Sequence, residues 1–205
     1  MSAQTHADGH LPHEPEKATL EGRNKILGFW LFLGAETVLF GTLFGAFLAL
    51  RDQVLDGPTA NHLFELKTVA IATALLLTSS LTSVFAVQAL HQQKRKSIIG
   101  WLIVTVLLGA GFLGLEIEEF HTYVTEGHGF TTSAFSSSFY TLVGFHGAHV
   151  LFGILWITLI ILQLVKKGLT VVTAPKVYVA GIYWHFIDVV WVFIFTVVYL
   201  MGKVV

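Results

Sequence analysis

Residues 177–202 read VYVAGIYWHFIDVVWVFIFTVVYLMG, an apolar run interrupted by a histidine, His185, and an aspartate, Asp188. At 1.5 Å per residue the run exceeds the ~30 Å hydrocarbon core of a bilayer, so it reads as a membrane-spanning helix. A charge in hydrocarbon costs ~2.5 kcal/mol or more. The pair therefore requires an offset, and a metal, a proton path, a haem or a buried polar contact would each supply one.

Working outward, four further apolar segments of spanning length precede this one. The five are placed at about 27–50, 66–90, 98–120, 136–165 and 177–202. Nothing alternates with period two, which excludes a closed β-barrel. The chain reads as all-α, a polytopic membrane protein built as a five-helix bundle. Composition agrees: 54% of the 205 residues are hydrophobic, 12% are charged, and the mean hydropathy is +0.72. With 12 basic and 13 acidic side chains there is no basic excess to hold nucleic acid. Cysteine is absent, which removes disulfides, iron-sulfur clusters, thiolate zinc sites and cysteine nucleophiles together.

Residues 1–26 are polar and lack the apolar core of a secretory signal, so they read as a solvated N-terminal segment preceding a membrane domain at 27–205. Its histidines, His6, His10 and His13, are too irregularly spaced for a metal site. Lys94, Arg95 and Lys96 mark the second loop, and Lys166, Lys167 and Lys176 the fourth; both are expected in the cytoplasm. The third loop has no Lys or Arg. The N-terminus is then expected inside and the C-terminus outside; Lys17, Arg23 and Lys25 agree and Arg51 is the exception. Gly28, Gly34, Gly41 and Gly45 on the first helix, and TSSLTS at 78–83 on the second, read as helix-packing surfaces.

The intramembrane polar groups fall close together in depth. Glu36 lies roughly 3 Å from the midplane, His149 near it, Asp188 about 3 Å and His185 about 7 Å to its cytoplasmic side. His146 and His149 share a helix face, as do His185 and Asp188. The paired histidines match no zinc signature. Haem ligation is disfavoured because His185 is within reach of its own Asp188. For Glu36, a neutral carboxylic acid donates a hydrogen bond across a helix interface or relays a proton, and both readings stay open. Glu116, Glu118 and Glu119 read as a solvated outer cap, with Glu116 and Glu119 able to bind a partner's basic group. Tyr183 and Trp184 read as belt aromatics at the inner interface, and Trp191 as a packing residue.

FHGAHV at 145–150, YWHFIDVVWVFIF at 183–195 and the glutamate in LFLGAETVLF resemble subunit III of the haem-copper terminal oxidases over about residues 27–202. The stretch PHEPEKATLEGRNKILGFWLFLGAETVLF, residues 12–40, resembles the Bacillus-type cytochrome c oxidase branch more than the quinol oxidase branch. The resemblance implies an accessory subunit without haem or copper of its own, in the plasma membrane of a bacterium. Haem and copper belong to partners: a catalytic subunit I, with subunit II and a small subunit IV. The complex passes electrons from cytochrome c to dioxygen and translocates protons. This chain's share is packing, phospholipid binding and maintenance of proton uptake.

By motif, Glu36 matches the family's intramembrane glutamate, and His146, His149, His185, Asp188 and Trp191 match its polar and lipid-associated positions. Glu119 matches a glutamate normally followed by Tyr, here Phe120, and Glu116 stands where Gln is common. Longer members have seven helices, and this chain corresponds to the last five. The rival functions are a quinol oxidase subunit III, a secondary transporter and a haem-binding quinone anchor; an odd helix number without repeats disfavours the transporter.

Overall fold

The structure is a computed structural model that describes residues 11–12, 14–53 and 66–204. The tail histidines His6, His10 and His13 lie outside the described residues. Among those residues every regular element is helical: α1 Leu20–Leu50, α2 Leu66–His91, α3 Arg95–Thr125, α4 Ala134–Lys167 and α5 Ala174–Ile194. A single 3-10 turn, Pro15–Lys17, precedes α1, and α5 continues through a π-helical turn, Phe195–Leu200, into a last turn, Met201–Val204. Among the described residues five helices are long and apolar enough to cross a membrane.

The helices outrun their apolar segments. α1 starts at Leu20 because Thr19 caps it: the Thr19 hydroxyl accepts from Gly22 N at 3.0 Å. Its first turns are polar, with an (i, i+4) pair between Glu21 and Lys25 at 2.6 Å. Ser133 caps α4 in the same way, accepting from Ser136 N at 3.0 Å. Hydropathy marks the part of a helix that sits in lipid, whereas caps and propensity fix where it begins.

α2 packs on α3 and α5, and α4 also packs on α3 and α5, so α2 to α5 close into a four-helix ring. α1 leans against α4 and α5. The ring is closed by aromatic side chains of α5 seated over small residues. Trp184 is buried, and a β-carbon added at Gly109 of α3 or Gly153 of α4 would come within 2.7 and 2.9 Å of its indole. Its Nε1–H donates to Ser79 Oγ of α2 at 2.9 Å. One side chain thus touches the three other helices of the ring, and van der Waals fit between large and small residues is what holds helices together in lipid. Trp184 is therefore a core residue and not the belt aromatic its position suggested. Tyr183 is buried too, its hydroxyl donating to the His149 carbonyl at 3.1 Å.

The small residues divide unexpectedly. The α2 patch does pack, with Ser79, Thr82 and Ser83 buried and Thr82 bonded to Thr105 of α3 at 2.7 Å. Gly28, Gly34, Gly41 and Gly45 of α1 instead have open space where a β-carbon would be. The expected α1 packing surface is not used among the described residues. Beside it, Leu31 and Val38 are exposed, as suits a face meeting lipid or another chain.

Part of the N-terminal segment is strapped to one end of the ring. Leu11 N donates to Gln93 Oε1 at 3.1 Å, and Gln93 Nε2 donates to Leu11 O at 2.6 Å. Gln93 stands at φ 55°, the left-handed region that side chains other than Gly and Asn rarely occupy. Glu16 is buried, with Oε1 3.3 Å from His91 Nε2. The Lys17 pKa is raised by its hydrogen bond to Glu14 at 2.8 Å.

Candidate functional site

Glu36 of α1 and His149 of α4 face each other. His149 Nδ1 lies 2.7 Å from the Phe145 carbonyl of its own helix, which only accepts, so Nδ1 carries a proton. Nε2 then points at Glu36 Oε2, 3.1 Å away. A single proton lies between these two atoms, held by the carboxyl beside a neutral imidazole or by an imidazolium beside a carboxylate. Phe40 covers the imidazole, with ring centroids 5.1 Å apart. The pair is the polar fastening of α1 to the ring.

His146, one turn away on α4, does not join it. It is fully buried in the ring, stacked on Trp191 at 5.2 Å and edge-on to Phe112 at 5.8 Å. Neither of its nitrogens has a hydrogen-bond partner. The two histidines thus serve different neighbours: His149 turns to α1, His146 to the centre. Trp191 packs as expected, and its Nε1–H donates to Thr73 Oγ1 of α2 at 3.0 Å.

His185 and Asp188 share a helix face and are within reach of one another by spacing, yet the structure does not bond them together. His185 Nδ1 pairs with Ser80 Oγ of α2 at 2.8 Å. Asp188 is 3% exposed, and neither carboxyl oxygen has a hydrogen-bond partner. Ser80 is close enough to act on the carboxyl, and its single hydroxyl proton serves Asp188 only when His185 Nδ1 is itself the donor in their pair. The polar layer read from depth accordingly resolves into two groups, Glu36 with His149 between α1 and α4, and His185 with Ser80 and Asp188 between α2 and α5.

The acidic end of α3 is also corrected. α3 runs on to Thr125, so Glu116 lies within the helix and is 4% exposed, not part of a solvated cap. Its carboxyl fills the space above Gly147, where a β-carbon would be 2.8 Å from either oxygen. Glu119 accepts from the Tyr123 hydroxyl of its own helix and, at 3.3 Å, from the Tyr199 hydroxyl. Tyr199 stands in the π-helical turn and was not singled out in the sequence, being 80 positions away from its partner. Ser79, Ser80 and Thr73 were equally missed as individuals; the hydroxyl-rich patch on α2 was their only trace.

Among the described residues no group of three or more His, Cys, Asp or Glu is arranged to hold a metal ion. A sequence model of the family described as "Cytochrome c oxidase subunit III" matches residues 16–203. The chain belongs to the cytochrome c oxidase subunit III family. It is 63% identical to cytochrome c oxidase subunit 3 of Bacillus sp. strain PS3, over 95% of this chain and 94% of that protein. Against cytochrome c oxidase subunit 3 of Bacillus subtilis the figures are 60%, 95% and 94%. Quinol oxidase subunit 3 of Bacillus subtilis is 50% identical, over 98% of both chains. Subunit III is a component of a haem-copper oxidase and associates with that enzyme's catalytic subunits.

Proposed function

We propose that the chain is the accessory subunit III of a proton-translocating cytochrome c oxidase in a bacterial plasma membrane, with the quinol oxidase as the alternative. Identities of 63%, 61% and 60% to cytochrome c oxidase subunits 3, against 50% to the quinol oxidase counterpart, support the donor assignment. The chain carries no redox centre in this reading. Haem and copper sit on the catalytic subunit I and on subunit II, a small subunit IV completes the assembly, and phospholipid fills the apolar groove between α1, α4 and α5.

The N-terminus is cytoplasmic and the C-terminus external. Lys94, Arg95 and Lys96 lie at the same end of the ring as Lys166, Lys167 and Lys176, while the α3–α4 connection carries no Lys or Arg; this asymmetry supports the orientation. Glu36 and His149, with His146, His185, Asp188, Trp191 and Glu119, hold helix interfaces and lipid contacts and take no part in oxygen chemistry.

Affinity purification through this chain tests the reading. Haem and copper subunits are expected in the eluate, with oxygen consumption driven by reduced cytochrome c and not by quinol. Recovery as a lone oligomer would favour a transporter. A stoichiometric Soret band on the isolated polypeptide would favour the haem anchor.

A further inference from the structure

α2 and α5 do not meet along their whole length. Between them a cleft of about 520 Å³ opens at the end of the ring bearing His91 and runs inward to His185. Gln88, His91, Tyr178 and His185 face it, with Val84, Val87, Gly181 and Ile182 between. At roughly 30 Å³ per molecule of liquid water, the space accommodates several waters, with polar partners at the mouth and again at the inner end. The groove between α1, α4 and α5 contrasts with it: Phe29, Phe32, Trp156 and Val179 give that one an apolar lining suited to hydrocarbon.

The groups at the two ends of the cleft are short of partners in the same way. At the mouth, His91 Nε2 faces Glu16 Oε1, while Glu16 Oε2 is buried without a partner. At the inner end His185 Nδ1 is spent on Ser80, which leaves Nε2 for the cleft. One turn further along α5 is Asp188, buried, with both oxygens unpaired and Ser80 within range. A buried carboxyl without hydrogen bonds is costly and is ordinarily satisfied by water.

We propose that the α2–α5 cleft is a hydrated vestibule, and that water entering past His91 and Tyr178 reaches the Asp188 carboxyl beside the His185–Ser80 pair. Asp188 thereby exchanges protons with the aqueous phase at the strapped end of the ring, although it lies deep in the bundle. The inference rests on the cleft alone, independent of the electron donor and of which face of the membrane is cytoplasmic.

The chain has no cysteine, so single cysteines report cleanly when this subunit is analysed by mass. The test uses the intact complex in lipid nanodiscs, both faces open, with a charged methanethiosulfonate that reacts only with hydrated thiolates. Val87→Cys in the cleft and Asp188→Cys at its end are compared with Leu81→Cys, which is exposed on α2 away from the cleft. Both are expected to react about tenfold faster or more than Leu81→Cys, since hydrocarbon suppresses the thiolate. Adding Val87→Trp is expected to return Asp188→Cys to the slow rate. Where Asp188→Cys fails to assemble, Ser80→Cys takes its place. A Val87→Cys rate no faster than that of Leu81→Cys overturns the proposal and points to lipid or a partner helix in the cleft. A fast Val87→Cys with a slow Asp188→Cys or Ser80→Cys overturns the access to Asp188.

Discussion

Glu36 Oε2 stands 3.1 Å from His149 Nε2, and the proton between them ties α1 to α4. Glu36→Gln preserves the tie, because an amide N–H donates to the Nε2 lone pair left free by the Nδ1–Phe145 bond. That variant is expected to assemble and reduce oxygen, with a changed turnover lifetime or proton uptake. Glu36→Leu removes the bond, and interhelical hydrogen bonds in membranes are worth about 0.6 kcal/mol, at most ~1.7. It is expected to shed from the complex sooner in detergent. Equal lifetimes and equal retention for wild type and both variants would reduce Glu36 to filler.

The indole of Trp184 leaves no room at Gly109 or Gly153. Gly109→Ala and Gly153→Ala are each expected to cost about 1–3 kcal/mol through overpacking, read as a lower thermal unfolding midpoint of the purified complex. Gly41→Ala and Gly45→Ala meet open space and serve as comparisons. Should either of these destabilise assembly while the isolated subunit stays folded, that glycine lies against a partner helix.

Glu119 accepts two phenolic hydrogen bonds, from Tyr123 and Tyr199. Glu119→Gln turns one acceptor into a donor facing a hydroxyl, and a hydrogen bond contributes about 0.5–1.5 kcal/mol. A clear loss of stability is expected. Tyr199→Phe in the Glu119→Gln background is expected to cost less than in wild type, which a double-mutant cycle on thermal dissociation measures.

Gln93 pins the N-terminal strap through two hydrogen bonds to Leu11. Gln93→Gly suits the backbone at φ 55° but removes both bonds. Cleavage by trypsin after Lys17 is expected to accelerate while α1 to α5 stay intact on a gel. An unchanged cleavage rate would show that Glu16 and His91 hold the strap without it.

The number of helices and their approximate spans were legible because apolar length is a one-dimensional property. The residues of the polar groups were legible too, since Glu36, His149, His185 and Asp188 stand out against hydrocarbon. Their pairing was not. Depth put four groups in one layer, yet rotation about each helix axis decides whom they meet, and that is set by large-into-small packing between helices. His185 bonds Ser80 on another helix although Asp188 is three residues away on its own. Trp184 looked interfacial because its depth was visible and Gly109 and Gly153 opposite it were not.

The order of synthesis gives Trp184 a further meaning. α5 is the last of the five helices to leave the ribosome, and its indole fills the hollow formed by Ser79, Gly109 and Gly153 of α2, α3 and α4. Until it arrives, the three earlier helices of the ring surround a gap they have no side chain to fill. A chain truncated before Trp184 is therefore expected to hold its remaining spans loosely, read as faster proteolysis in the membrane than for the chain that includes α5.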